Sequence, residues 1–229
     1  MKTKIVATIG PASLDKAIMA QMIHAGVSVA RINTKYGSIA QYEQIIKNLQ
    51  EIGGCELLFD FKDHEKFDWL LRQNFDYLAL SFAESADQIT SLREKFKPRE
   101  IKIIAKIESD NGLKNIDEII DASDGIMIAR GDLGKNIPFE KVPIEQKIII
   151  KKCNEKGKLV ITATEMLLSM VASTVPERAE ASDVANAVLD GSNYLMLSEE
   201  TATGKYPVLA VEAMAKIISE TEKDSKLLE

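Results

Sequence analysis

Ile104-Ala105-Lys106-Ile107-Glu108 and Met127-Ile128-Ala129-Arg130-Gly131-Asp132-Leu133-Gly134 are the two stretches that decide how this chain reads. Each is an apolar run of β character that finishes on charged side chains. A buried strand gains nothing in packing by ending on Lys-x-Glu or on Arg-Gly-Asp. In a parallel α/β protein, however, the C-terminal ends of the strands are where chemistry is placed. Two carboxylates and an ammonium on neighbouring strand ends predict a divalent cation beside an anionic substrate.

Outward from these runs, apolar stretches of strand length alternate with longer amphipathic patterns along the whole chain. Strands are expected at Lys4–Ile9, Ser28–Asn33, Leu57–Phe61, Tyr77–Phe82, Ile101–Ile107, Gly125–Arg130, Leu159–Thr164 and Tyr194–Ser198. Helices are expected around Ser13–Ala25, Ser38–Ile52, Asp63–Gln73, Ser85–Phe96, Asn111–Ala122, Pro143–Lys156, Pro176–Leu189 and Pro207–Glu222. Start signals support several of them: Ser13 with Asp15, Ser85 three before Gln88, and first-turn prolines at 143 and 207. Gly26, Gly157 and Gly191 follow helix ends, where a left-handed cap suits glycine.

Eight βα units in 229 residues favour a single (β/α)8 TIM barrel over residues 1–229. A doubly wound open sheet is the runner-up. It would carry a glycine-rich phosphate loop after its first strand, and Gly10-Pro11-Ala12-Ser13 is no such loop. No internal repeat or linker interrupts the pattern, and Lys223–Glu229 reads as a charged tail.

With 45% hydrophobic and 28% charged residues, the composition is that of an ordinary globular protein. The net charge of -6 argues against a general nucleic-acid binder. No apolar stretch is long enough to span a membrane. Cys55 and Cys153 form no metal-ligand pattern, and two lone thiols with no signal segment suggest a cytoplasmic location. Of the two histidines, His24 sits late in a helical pattern and reads as a surface or partly packed residue. Assembly with further copies of the chain stays open.

In a barrel, every strand end faces one mouth. There the chain offers Thr8, Arg31, Asn33, Lys35, Asp60, Lys62, Ser81, Lys106, Glu108, Arg130, Gly131, Asp132, Thr162, Thr164 and Ser198 to Thr201. Glu108 and Asp132 are hard oxygen donors suited to Mg2+ or Mn2+. Lys106 and Arg31 would neutralise a phosphate or carboxylate. Gly131 with Asp132 opens a turn whose backbone N–H groups are expected to hold a carboxylate. One strand-end lysine or glutamate is more often an ion pair than a catalyst; the argument lies in the convergence of the set. Asp63, Glu65, Lys66 and Asp68 read as a solvated helix face, and Met166 with Met170 as core.

These residues resemble the pyruvate kinase family. The resemblance is carried by Thr3–Ser13, Ala25–Asn33, Lys102–Glu108, Asp124–Gly134, Ala163–Leu167, Arg178–Val184 and Met196–Ala202. It implies that Glu108 and Asp132 hold the divalent cation and that Lys106 contacts the transferring phosphoryl group. Thr164 would support the substrate carboxylate and the proton step at the enol carbon. Arg31 would bind phosphate, and Asn33 and Asp60 would belong to a K+ site. The implied reaction moves a phosphoryl group from phosphoenolpyruvate to ADP, giving pyruvate and ATP.

The chain also departs from the family pattern. The lid domain that the family inserts after its third strand is missing, because strand end and helix are fused directly at Leu57–Glu65. The C-terminal regulatory domain is likewise expected to be absent. Lys35 stands in place of a serine ligand of K+, Tyr36 in place of a histidine and Phe61 in place of a threonine, so the Lys35 ammonium is expected to occupy the K+ position. Leu168 and Glu199 replace a glutamate and a glycine. Without a lid, ADP binding and phosphoryl transfer should be weak. A metal-dependent 2-oxo-acid lyase working through an enolate, or a non-catalytic binding protein, are the alternatives.

Overall fold

A computed structural model of the chain describes residues 2–62 and 66–224. Eight strands, β1 (Lys4–Thr8), β2 (Val27–Asn33), β3 (Glu56–Phe61), β4 (Tyr77–Leu80), β5 (Lys102–Ile107), β6 (Gly125–Ala129), β7 (Leu159–Ala163) and β8 (Tyr194–Leu197), pair in sequence order. All eight pairings are parallel, and β8 returns to β1, so the sheet closes into the expected barrel. Closure removes every sheet edge, so no strand is left with unpaired backbone groups along its length.

The two-residue period of the strands sorts the side chains into two cores. Val6, Val29, Leu58, Ala79, Ile104, Met127, Ile161 and Met196 point inward and fill the barrel. Ile5, Ala30, Phe59, Leu78, Ile103, Ile128, Val160 and Leu195 point outward, under the helices. The barrel floor is polar and aromatic. The Tyr77 hydroxyl donates to Glu56 Oε1 at 3.2 Å, and Lys4 and Lys102 cover the rings of Tyr194 and Tyr77.

The outer layer comprises α1 (Lys16–His24), α2 (Ile39–Ile52), α3 (Phe67–Leu70), α4 (Ala86–Lys95), α5 (Asp110–Lys114), α6 (Ile116–Ala122), α7 (Arg130–Asn136), α8 (Val142–Glu155), α9 (Arg178–Leu189), α10 (Glu199–Ala202) and α11 (Pro207–Asp224). Local chemistry sets their ends. Asp15, not Ser13, caps α1, accepting from Ala17 and Ile18 N–H. Ser85 with Gln88 forms a capping box on α4, and Glu177 with Glu180 one on α9. The helix expected over Asn111–Ala122 is broken at Asn115, whose side chain donates to Glu84 O at 2.7 Å. The expected helix Asp63–Gln73 appears as α3; residues 63–65 lie outside the described residues, as does the tail beyond residue 224. No helix among the described residues is long and apolar enough to cross a membrane.

The largest departure from expectation is α7. It begins at Arg130, directly off β6, where no helix was anticipated before Pro143. It places Asp132, Lys135 and Asn136 on consecutive turns over the mouth.

Two substitutions test this packing. Gly125 opens β6 where an added Cβ would lie 2.8 Å from Leu159 O, a backbone atom that cannot yield cheaply. Gly125→Ala should therefore cost about 1–3 kcal/mol in urea unfolding. At the closure seam, the Glu222 carboxylate of α11 accepts from Lys2 N–H at 2.8 Å and Thr3 N–H at 2.6 Å. Partial burial works to raise this carboxyl, but those two N–H groups outweigh it and hold it below its ordinary value of 4.5. A depressed folded value means that the stabilisation is present above that ordinary value and lost as pH falls through the lower one. Glu222→Gln should accordingly lose less stability than the wild type on acidification from about pH 5.5 to 3.

Candidate active site

The strand ends bring a charged network into the mouth, centred on Asp60 at the end of β3. Asp60 Oδ2 accepts from Arg31 Nε at 3.0 Å and from Nη2 at 2.7 Å. Asp60 Oδ1 accepts from Lys106 Nζ at 3.2 Å and from Ser81 Oγ at 3.3 Å. Arg31 Nη1 reaches back to Thr8 Oγ1 at 2.7 Å. Side chains from five consecutive strands or strand ends are thus joined through one carboxylate, and Arg31, Asp60 and Lys106 are all buried. Burial alone would raise the Asp60 carboxyl. The neighbouring charges and hydrogen bonds of Arg31 and Lys106 overcome it and hold the group below the usual carboxylate range.

Next to this network lie the two carboxylates of β5 and β6. Glu108 is fully buried, with Oε2 accepting the Phe82 N–H at 2.7 Å. Its Oε1 faces Lys106 Nζ at 3.1 Å as an ion pair and has no hydrogen-bond partner among the described residues. Asp132 is more open and pairs with Lys135 Nζ at 3.0 Å. Burial pushes the Glu108 carboxyl up, more than the Lys106 charge and the Phe82 N–H bring it down. For Asp132 burial also acts upward, but the hydrogen bond and the charge of Lys135 prevail and its carboxyl is held low. Lys106, paired with Glu108, also acts through its charge on Asp132, so the two acids share one electrostatic neighbourhood. Lys106 and Lys135 offset their negative charge from either side.

That donor set fits a hard divalent cation. Among the described residues no group of three or more His, Cys, Asp or Glu converges anywhere. Two carboxylates, one with a buried oxygen lacking a hydrogen bond, suit Mg2+ or Mn2+, which take their other ligands from water and substrate.

The backbone around the mouth is strained. Phe82, Thr164 and Glu165 have φ of 50°, 71° and 55°, all in the left-handed region. For Thr164, with its branched Cβ, this conformation must be enforced by its surroundings. Arg130 enforces it, donating twice to Thr164 O, at 2.7 and 3.3 Å, while pairing with Asp183 at 2.7 Å.

Several expectations change. Arg130 is a clasp between β7 and α9, not a mouth residue. Thr162 points outward to Ser192 Oγ at 2.7 Å. The Gly131 N–H is not free: it donates to Thr164 Oγ1 at 2.7 Å, so one hydroxyl holds the amide expected to bind a carboxylate. The Lys35 ammonium is not brought to Asp60. Lys35 is exposed, with Nζ 5.2 Å from the Tyr36 ring centroid, and only its backbone N–H bonds Asn33 Oδ1, at 3.1 Å. The oxygens of Asp60 are already taken by Arg31, Lys106 and Ser81. Phe61 points outward, among the helix-facing core, against Phe67.

Asn136 and Lys135 at the mouth were not anticipated. Asn136 Nδ2 donates to Glu108 O and Asp132 O, both at 2.9 Å, and so locks α7 onto the end of β5. Lys135 covers Asp132. Their spacing of three and four from Asp132 is a helical signal, legible only once α7 is recognised as a helix. Glu200 is buried and braces two loops, accepting from Leu167 N–H at 3.0 Å and Ser198 N–H at 2.7 Å.

A closed parallel barrel with paired acids and cations gathered at its C-terminal mouth belongs to the (β/α)8 barrels that carry their site on that face. A family model described as "Pyruvate kinase, barrel domain" matches residues 1–55 and 58–211. The chain belongs to the pyruvate kinase family. It is 52% identical over 165 residues to the pyruvate kinase of Geobacillus stearothermophilus, a match covering 71% of this chain and 28% of that protein. With the Dictyostelium discoideum pyruvate kinase it is 54% identical over 154 residues, covering 66% of this chain and 30% of the relative. The chain thus spans under a third of the length of these two relatives. With the pyruvate kinase of Thermococcus litoralis it shares 33% identity, covering 97% of this chain and 70% of the relative. That alignment runs over 332 positions against a chain of 229, so the excess falls opposite gaps in this chain.

The Asp60 hub yields a direct stability test. Asp60→Ala leaves Arg31 and Lys106 buried without their shared partner and should cost about 3–5 kcal/mol in urea unfolding, against under about 1 kcal/mol for the exposed pair broken by Lys16→Ala.

Proposed function

We propose that this barrel acts on phosphoenolpyruvate- and pyruvate-type substrates, with Mg2+ or Mn2+ held between Glu108 and Asp132. The observation that carries the reading is the adjacency of that acid pair to the buried Lys106 ammonium. A cation bound there supplies neutralisation of substrate oxygens and of the charge that develops on them.

The residues of the chain take up the remaining roles. Lys106 Nζ, aimed by Asp60 and Ser81, meets the phosphoryl group while the bond from phosphorus to the enol oxygen breaks. Arg31 adds a second fixed positive charge behind it. Thr164, held in one strained conformation, presents its hydroxyl near Gly131 for the substrate carboxylate and for the proton that the enol carbon gains. In the full reaction the phosphoryl group goes to ADP and the enolate is protonated to pyruvate. In this reading Asn33 is left as a residue offered to K+, because the oxygens of Asp60 are committed to Arg31, Lys106 and Ser81. The lid that closes over nucleotide in the family is missing here, so transfer to ADP is the slower half and proton exchange at the enol carbon the better preserved one. Action in the cytoplasm follows from the same family assignment.

The test is incubation with Mn2+ and phosphoenolpyruvate, with and without ADP, and separately with oxaloacetate. ATP formation that falls at least about a hundredfold in Lys106→Met supports the reading. Release of CO2 from oxaloacetate without nucleotide, lost in Asp132→Ala and with no ATP formed in the other arm, would replace it with a lyase. Absence of both reactions with Mn2+ still bound would leave a binding protein.

A further inference from the structure

Glu108 and Asp132 are paired with two cations of opposite character. Lys106 is buried and tied to Asp60, Ser81 and Glu108 at once, so it cannot leave its place. Lys135 is the reverse. Its side chain is 76% exposed, and among the described residues its one hydrogen bond goes to Asp132 Oδ1, at 3.0 Å. The backbone beneath it is fixed, because Asn136 clamps α7 to Glu108 O. The ammonium is therefore a mobile charge on a rigid mount, resting on an acid that a cation would need.

We propose that Lys135 is an internal counter-ion of the cation site: it occupies Asp132 when no divalent cation is bound and must give way when one binds. The inference rests on the assignment of Glu108 and Asp132 as the cation-holding pair. A divalent ion held by these acids would bring its charge against the Lys135 ammonium at Asp132, while Lys106 is already fixed. Charge repulsion then moves Lys135 off Asp132. The other groups facing it are Glu165, whose carboxylate acts on Lys135 from the β7 loop, and Tyr36 from the β2 loop. Released toward them, the ammonium stands at the rim of the mouth, where an anionic substrate enters. Lys135 in this account weakens the hold on the bare cation and strengthens the hold on an anion beside the loaded site.

Ordinary surface pairs three residues apart on a helix contribute little and do nothing else, so the test must read cation affinity rather than stability. Mn2+ alone is titrated into the wild type, Lys135→Gln, Lys135→Arg, Asp132→Asn and the Lys135→Gln/Asp132→Asn double variant, with free Mn2+ followed by its paramagnetic resonance. Lys135→Gln should bind Mn2+ about two- to fivefold more tightly than the wild type, an effect that added salt shrinks, with Lys135→Arg near the wild type. The gain should vanish in the Asp132→Asn background. Inorganic phosphate should bind the Mn2+-loaded Lys135→Gln protein more weakly than the loaded wild type. Equal or weaker Mn2+ binding by Lys135→Gln, with wild-type binding intact and lost in Asp132→Asn, would overturn the counter-ion role and leave the cation site standing. Failure of the wild type to bind Mn2+ would overturn both.

Discussion

The Asp60 carboxylate carries the organisation of the mouth. Arg31, Asp60 and Lys106 are taken out of water together, and each ion in isolation would cost several kcal/mol to bury. Their mutual hydrogen bonds offset that cost only if β2, β3, β4 and β5 hold their ends in one arrangement. The network therefore acts on the fold and on the site at the same time. It fixes the register at which four strands end, and it leaves the Lys106 ammonium at a defined height beside Glu108.

From this hub the site divides into a rigid part and an open part. On the rigid side Glu108 is pinned by the Phe82 N–H, and Thr164 is forced into a left-handed backbone by the Arg130 clasp. Strain in these positions is paid for by the barrel around them, which cannot relax one strand without shifting its neighbours. On the open side stand Asp132 and Lys135, exposed on a short helix that springs directly from β6. Preorganised charge next to an adjustable ion pair is a sensible division for a site that must admit both a cation and an anion.

Much of this was legible in the sequence, and the physical reason is the strength of the barrel pattern. Eight apolar runs separated by amphipathic stretches leave few alternatives, and charges at the ends of such runs have no packing explanation. What failed to show was direction. Arg130 and Thr162 sit at strand ends, yet the alternation that puts Met127, Ile161 and Ala163 inside turns both of them outward. That signal was present in the period of two and was outweighed by residue type. The place of Lys35 was not readable at all: nothing local says that Arg31, Lys106 and Ser81 already saturate Asp60. Nor does a seven-residue helix beginning on Arg-Gly-Asp announce itself by composition, so Lys135 and Asn136 were invisible as partners of the acids.

The central claim, that Asp60 and its cations are stable only as a unit, is tested most directly by a double-mutant cycle of Arg31→Met and Asp60→Asn in urea unfolding. The account predicts that Arg31→Met destabilises the wild type strongly but is close to neutral in the Asp60→Asn background, giving a coupling of about 2 kcal/mol or more. Additive effects, within about 0.5 kcal/mol, would contradict it and would mean that the strand ends hold their places without the network.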